Sequence, residues 1–275
     1  MRNKLRDVLV ALAGASVAAA AFYAATPTEG QAPASRVPRM LDGRPNLNGI
    51  WQALNTANYD IEAHPARPAL AMRAGPVIPV PAREVVALGA VGSVPAGVGV
   101  VVGGPLPYTP DGLAKKKENQ DNWLTRDPEV KCYLPGVPRA TYMPFPFQIF
   151  QAPNYIAIVF EYIHAARHIT INSEHPKGPI EWWMGDSRAK WDGDTLVVSV
   201  MHFNAQTWFD AAGNHHSEQL RLVERYSFID RNAINYEVTV EDPKVFSRPW
   251  KMRMPLYRRL EPNVQILDYE CYSFD

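Results

Sequence analysis

From Phe147 onward, hydrophobic and polar residues alternate in short runs separated by turn residues, the period-2 pattern of β-strands. The runs are Gln148 to Ala152, Tyr155 to Tyr162, Arg167 to Ile171, Ile180 to Met184, Arg188 to Trp191, Thr195 to Phe203, Thr207 to Asp210, Glu218 to Ile229, Ile234 to Val240, Trp250 to Leu260 and Gln265 to Tyr272. Turn signals punctuate them at Ala152-Pro153-Asn154, Asp192-Gly193-Asp194, Ala211-Ala212-Gly213-Asn214 and Asp230-Arg231-Asn232. No helix-length 3.6 period occurs in this half. About eleven strands without crossover helices predict an all-β domain over 147–275, either an antiparallel up-and-down barrel of lipocalin-like shape or a β-sandwich.

Upstream the pattern changes. Gly49 to Ala53 reads as a short first strand within an N-terminal segment, 35–58. Thr109-Pro110-Asp111 offers a cap and a first-turn proline to one short helix from Gly112 to Asn122. Asp127 to Pro146 holds five prolines and predicts an extended wrap, so 109–146 joins helix and wrap ahead of the barrel.

Parity assigns faces to the strands. Between Glu218 and Phe228, the apolar Leu220, Leu222, Tyr226 and Phe228 share a face with Glu218 and Glu224, which places both carboxylates inward, with His216 upstream on the same parity. Leu196, Val198 and Val200 share a face with His202, and Arg248 shares one with Trp250, Met252 and Met254. The expected catalytic constellation is therefore His216, Glu218, Glu224 and His202, with Trp182, Trp208, Tyr226, Trp250 and Arg248 as the substrate-binding wall.

A carboxylate in an apolar cavity has a raised pKa and histidine titrates near neutrality, so this set suits general acid–base work without a cofactor. The expected function is a lyase, hydratase or isomerase step on a small apolar or aromatic molecule. The same residues also read as structure, with Glu224 paired to an arginine of a neighbouring strand and His202 a satisfied core histidine. A non-catalytic carrier of a hydrophobic molecule and an envelope interaction module are the competing functions.

Composition adds compartment and excludes several classes. Lys+Arg and Asp+Glu both number 28 among 275 residues, so no global field points at nucleic acid. Arg2, Lys4 and Arg6 precede an apolar stretch from Val8 to Ala21 and then small residues, which predicts an export signal over 1–34 and a periplasmic or secreted protein. Its removal takes three basic residues and two acidic ones (Asp7, Glu29) and leaves a formal charge of −1. In an oxidising compartment Cys132 and Cys271 either pair or remain separate buried thiols.

The 25 prolines, against a usual ~5% of residues, fall largely in the wrap and in an Ala/Pro/Gly/Val-rich insertion, 59–108. Val85 to Thr109 carries no charge, but its glycines and Pro95 disfavour a membrane helix. A flexible surface insertion is expected, with membrane contact only through 85–104. No metal is expected: His215 and His216 point to opposite faces of a strand, and His164 and His168 lack the glutamate of a zinc helix. No Gly-x-Ser-x-Gly elbow, phosphate loop or dinucleotide fingerprint occurs.

Asp127-Pro128-Glu129, Cys132, Pro135-Gly136-Val137-Pro138-Arg139 and Pro144-Phe145-Pro146-Phe147-Gln148-Ile149 form one set of motifs. Met184-Gly185-Asp186-Ser187-Arg188, Trp191-Asp192-Gly193-Asp194-Thr195-Leu196-Val197-Val198, His216-Ser217-Glu218, Glu224-Arg225-Tyr226 and Val240-Glu241-Asp242-Pro243 form another. Together they resemble a family of exported, β-rich bacterial proteins of unassigned activity. The resemblance implies export and a β-rich domain, and it covers about 46–51 and 109–271 but not the insertion.

Overall fold

The computed structural model describes residues 37–69, 72–81 and 93–272. The expected signal at 1–34 and residues 85–92 of the uncharged stretch lie outside the described residues. Twelve strands are described: β1 (Gly49–Ala53), β2 (Met72–Arg73), β3 (Val80–Pro81), β4 (Val101–Val102), β5 (Phe147–Ala152), β6 (Tyr155–Phe160), β7 (Ala166–Ile171), β8 (Asp186–Asp192), β9 (Thr195–Met201), β10 (Arg221–Asp230), β11 (Ala233–Glu241) and β12 (Trp250–Arg258). β5 to β12 pair in chain order, and β1 bridges β5 to β12. Nine strands thus form a closed barrel rather than a sandwich.

Nine is odd, so strict antiparallel alternation cannot close the ring. The barrel solves this with one parallel pair, β7 beside β8, where Ile169 lies opposite Ser187 and Ile171 opposite Ala189. A parallel pair needs a crossover, and residues 172–185 supply it as an irregular strap. The expected all-β barrel is met, with this pair as the one departure from antiparallel pairing among the barrel strands. Ile180 to Met184, read above as a strand, belongs to the strap and makes one bridge, Trp182 to Phe203. Thr207 to Asp210 and Gln265 to Tyr272 likewise make single bridges, through Trp208 to His215 and Tyr269 to Tyr162. Their β-like composition serves packing onto the barrel rather than a ladder.

The interior is built from the inward parity of the strands. Val198, Val200, Leu222, Ile234, Val238, Val240 and Met252 are solvent-excluded, and Lys251 and Arg253 alternate outward. Ahead of the barrel, α1 (Pro110–Asp121) starts where expected, with the Thr109 hydroxyl accepting the Gly112 N–H. Two single-turn helices follow, α2 (Trp123–Arg126) and α3 (Arg139–Tyr142).

Part of the insertion packs against the barrel. Val94 pairs with Arg67, Gly97 with His64, and β4 with the first half of β12. Gly99 has φ +76°, and a Cβ there would sit 2.5 Å from the Ala63 nitrogen, so only glycine permits this approach. No helix among the described residues is long and apolar enough to cross a membrane.

The wrap is anchored by charge. Arg139 on α3 is fully buried and donates to Asp127 Oδ1 and Oδ2 at 2.7 and 3.0 Å, to Asn58 Oδ1 at 2.8 Å, and to Glu129. Cys132 and Cys271 form a disulfide across 139 residues, which ties the wrap to the C-terminal segment and decides between the two cysteine readings.

Candidate functional site

Inside the barrel, Glu224 on β10 does point inward, and its charge is consumed. Oε1 accepts from Arg167 Nη1 at 3.0 Å, the Tyr236 hydroxyl at 2.6 Å and the Tyr226 hydroxyl at 3.3 Å, while Oε2 accepts from Arg167 Nη2. Arg167 comes from β7, across the interior rather than from a neighbouring strand, and its Nε reaches the Ser187 hydroxyl at 3.0 Å. Burial, reinforced by Glu224, pushes both phenols well up, so they remain donors. This is a saturated network, and Tyr226 belongs to it rather than to a binding wall.

The remaining predicted residues do not converge on Glu224. Ser217 turns the chain, its oxygen and hydroxyl accepting the Leu220 and Gln219 N–H groups, so β10 begins only at Arg221 and parity does not reach Glu218. Glu218 is exposed and bound to Lys244, which holds its carboxyl below the usual range instead of above it. His216 is buried apart from both carboxylates: Nδ1 donates to the Ser217 carbonyl at 2.9 Å, and Nε2 accepts from the Thr207 hydroxyl at 2.7 Å. Arg248 is exposed and donates to the Pro249 carbonyl. Trp250 packs edge-on against Phe209 and Phe246, and Trp208 joins Trp123 in a separate cluster.

His202 also leaves its predicted face. Its φ is +66°, a left-handed conformation that ends β9 and turns Phe203, not His202, into the core. Two of the predicted residues nevertheless meet. His202 and Glu218 line one outer cleft of about 650 Å³, together with Ile180 and Glu181 of the strap, Arg221 and Glu241. Arg221 lies opposite Glu241 across β10 and β11. Trp182, 38% exposed, meets the His202 ring edge-on at 6.0 Å.

Behind His202 stands a group that sequence reasoning missed. The His175 ring lies 6.2 Å from that of His202. Its Nδ1 contacts Asp186 Oδ2 at 2.6 Å and its Nε2 contacts Ser199 Oγ at 2.9 Å. Asp186 is clamped by Arg188 through Nε at 2.8 Å and Nη2 at 2.7 Å, and Arg188 is tied to Ser173 at 3.1 Å. Burial would raise Asp186, but the bonds from Arg188 and His175 outweigh it and hold the carboxyl low. An ionised carboxylate only accepts, so Nδ1 donates to Asp186, and in the neutral ring Nε2 accepts from the Ser199 hydroxyl. The available signal was outward parity: Asp186 and Arg188 on β8 face the same way as Ser199 and Met201 on β9, in the register Arg188 to Ser199.

His164 meets Asp268 at 3.1 Å and Glu270 at 3.5 Å, all solvent-exposed. His215 is lowered to about 4 by burial and by His216, and burial lowers His216 as well. The unfolded chain binds these protons near pH 6.5, so unfolding takes up protons as the pH falls below that value. Stability is therefore lost between about pH 6.5 and 4, by up to roughly 3 kcal/mol for His215. Asp210, pushed up to about 7 by burial and Asp60, acts oppositely and loses stability as pH rises toward 7. His215→Phe is expected to flatten the acid limb in urea titrations run from pH 4 to 7; an unchanged limb would assign it elsewhere. No family model, curated protein or solved structure matches this chain.

Proposed function

We propose that the protein is an exported enzyme performing cofactor-free acid–base chemistry on a small apolar or aromatic molecule, at the outer cleft rather than inside the barrel. The carrying observation is that both ring nitrogens of His175 are held, by Asp186 and by Ser199, directly behind His202 on the cleft wall. Asp186 sets the tautomer and orientation, His175 Nε2 is the base, and Glu218 and His202 are the titratable groups beside the substrate. Ile180, on the cleft wall and exposed, offers apolar surface for an aromatic ring. Export is supported by the N-terminal pattern and by the disulfide, which persists in oxidising compartments. The saturated interior around Glu224 favours this reading over a carrier with its ligand inside the barrel.

The test is mass spectrometry of organic extracts from purified wild-type and His175→Ala protein. A small aromatic or apolar compound enriched in the variant, with its transformed partner in the wild type, is the expected result. The same compound in equal amount in both proteins would describe a carrier and overturn the enzymatic reading.

A further inference from the structure

Resting on that acid–base reading, we propose that Ser199 is a nucleophile and that the reaction is acyl transfer from an uncharged aryl ester to water. A hydroxyl, an imidazole and a carboxylate from three separate segments form one chain of hydrogen bonds: Ser199 on β9, His175 on the strap, Asp186 on β8. Both links, 2.9 and 2.6 Å, fall within the roughly 2.6–3.2 Å expected of an activated nucleophile and its oriented base. Such a constellation is defined by geometry and roles, not by a local motif, so the missing Gly-x-Ser-x-Gly elbow does not exclude it. The cleft beside it carries Glu181, Glu218 and Glu241 against Arg221, a balance that disfavours anionic esters.

The chemistry balances without an external oxidant or reductant. Ser199 Oγ forms a bond to the ester carbonyl carbon as its proton passes to His175 Nε2. The bond from that carbon to the aryl oxygen breaks, and the phenol departs with the proton. Water then attacks the acyl-Ser199 ester and gives a proton to His175. Collapse releases the acid and returns that proton to the Ser199 oxygen. Ser199 lies within a strand paired on both sides, with Arg188 on β8 and Val223 on β10, so its backbone is committed to the ladder. Slow turnover and a long-lived acyl-enzyme follow, because oxyanion stabilisation is otherwise the largest catalytic contribution.

The experiment is labelling of the full folded chain with a fluorophosphonate, followed by peptide mass spectrometry, with circular dichroism confirming that each variant is folded. The expected result is one adduct on Ser199, absent in Ser199→Ala and formed about 100-fold or more slowly in His175→Ala. Folded wild-type protein unmodified at Ser199, or modified equally fast in His175→Ala, overturns the proposal. If Ser199 stays unmodified while His175→Ala still accumulates a compound in its extracts, acyl transfer falls and the acid–base reading stands. If neither is seen, both fall.

Discussion

Glu224→Ala protein is expected to lose about 3–5 kcal/mol of folding stability, the usual result of removing one partner of a buried ion pair. Arg167 and Glu224 are both solvent-excluded, and Arg167 would keep only its bond to Ser187. The Tyr226 and Tyr236 hydroxyls would lose their shared acceptor as well. Replacing Arg167 and Glu224 by Met together with Ser187→Ala, Tyr226→Phe and Tyr236→Phe removes every polar member at once, leaving nothing unpaired. That variant should recover most of the loss, since a well-packed apolar substitute for a buried pair is often neutral or better. Urea unfolding of the three proteins reads this directly; a Glu224→Ala loss below about 1 kcal/mol would mean that the pair is solvated.

Arg139→Met should cost at least as much and act in a different place. Arg139 binds Asp127 through both oxygens and also reaches Glu129 and Asn58, so its loss strands the buried Asp127 carboxylate and weakens the hold on the half-buried Glu129. Glu129 is already pushed up by burial and can take a proton, which limits the damage on its side. Asp127 is fully buried and retains the Glu129 N–H, so it carries most of the roughly 3–5 kcal/mol expected for an orphaned charge. Arg139→Lys should fail nearly as badly, because an ammonium cannot reproduce a planar fork aimed at three partners. Urea unfolding with limited proteolysis should show the wrap opening, with cleavage inside 127–146; a variant with wild-type midpoint and protection would remove Arg139 from this role.

These two networks show what was legible in the sequence and what was not. Period-2 alternation located eight of the nine barrel strands, and the ninth, β1, was found from its isolated apolar segment. Parity placed Glu224 inward correctly because β10 pairs regularly with β9 from Leu222 to Tyr226. It failed at Glu218 because a serine-centred turn restarts the strand, and at His202 because a left-handed residue ends one. Neither event leaves a periodic trace. The assumption that an inward carboxylate marks a catalytic cavity also failed, since the cation that neutralises Glu224 lies 57 residues away on a strand across the interior. His175 was invisible for a related reason. It sits in an aperiodic strap, and its partners come from two strands whose outward parity carries no hydrophobic signal.

The strap itself follows from an odd strand count. A nine-stranded ring requires a parallel pair, a parallel pair requires a crossover, and that crossover brings His175, Ile180, Glu181 and Trp182 against the outer wall. The cleft is thus a consequence of barrel closure.

The most direct test of an outer-wall site is histidine-ring NMR during titration with small aromatic compounds. The seven histidines serve as separate reporters. The account predicts saturable shifts of the His202 and His175 ring signals, with His215 and His216, buried elsewhere, unmoved. Shifts confined to His215 and His216, with His175 and His202 silent, would contradict it.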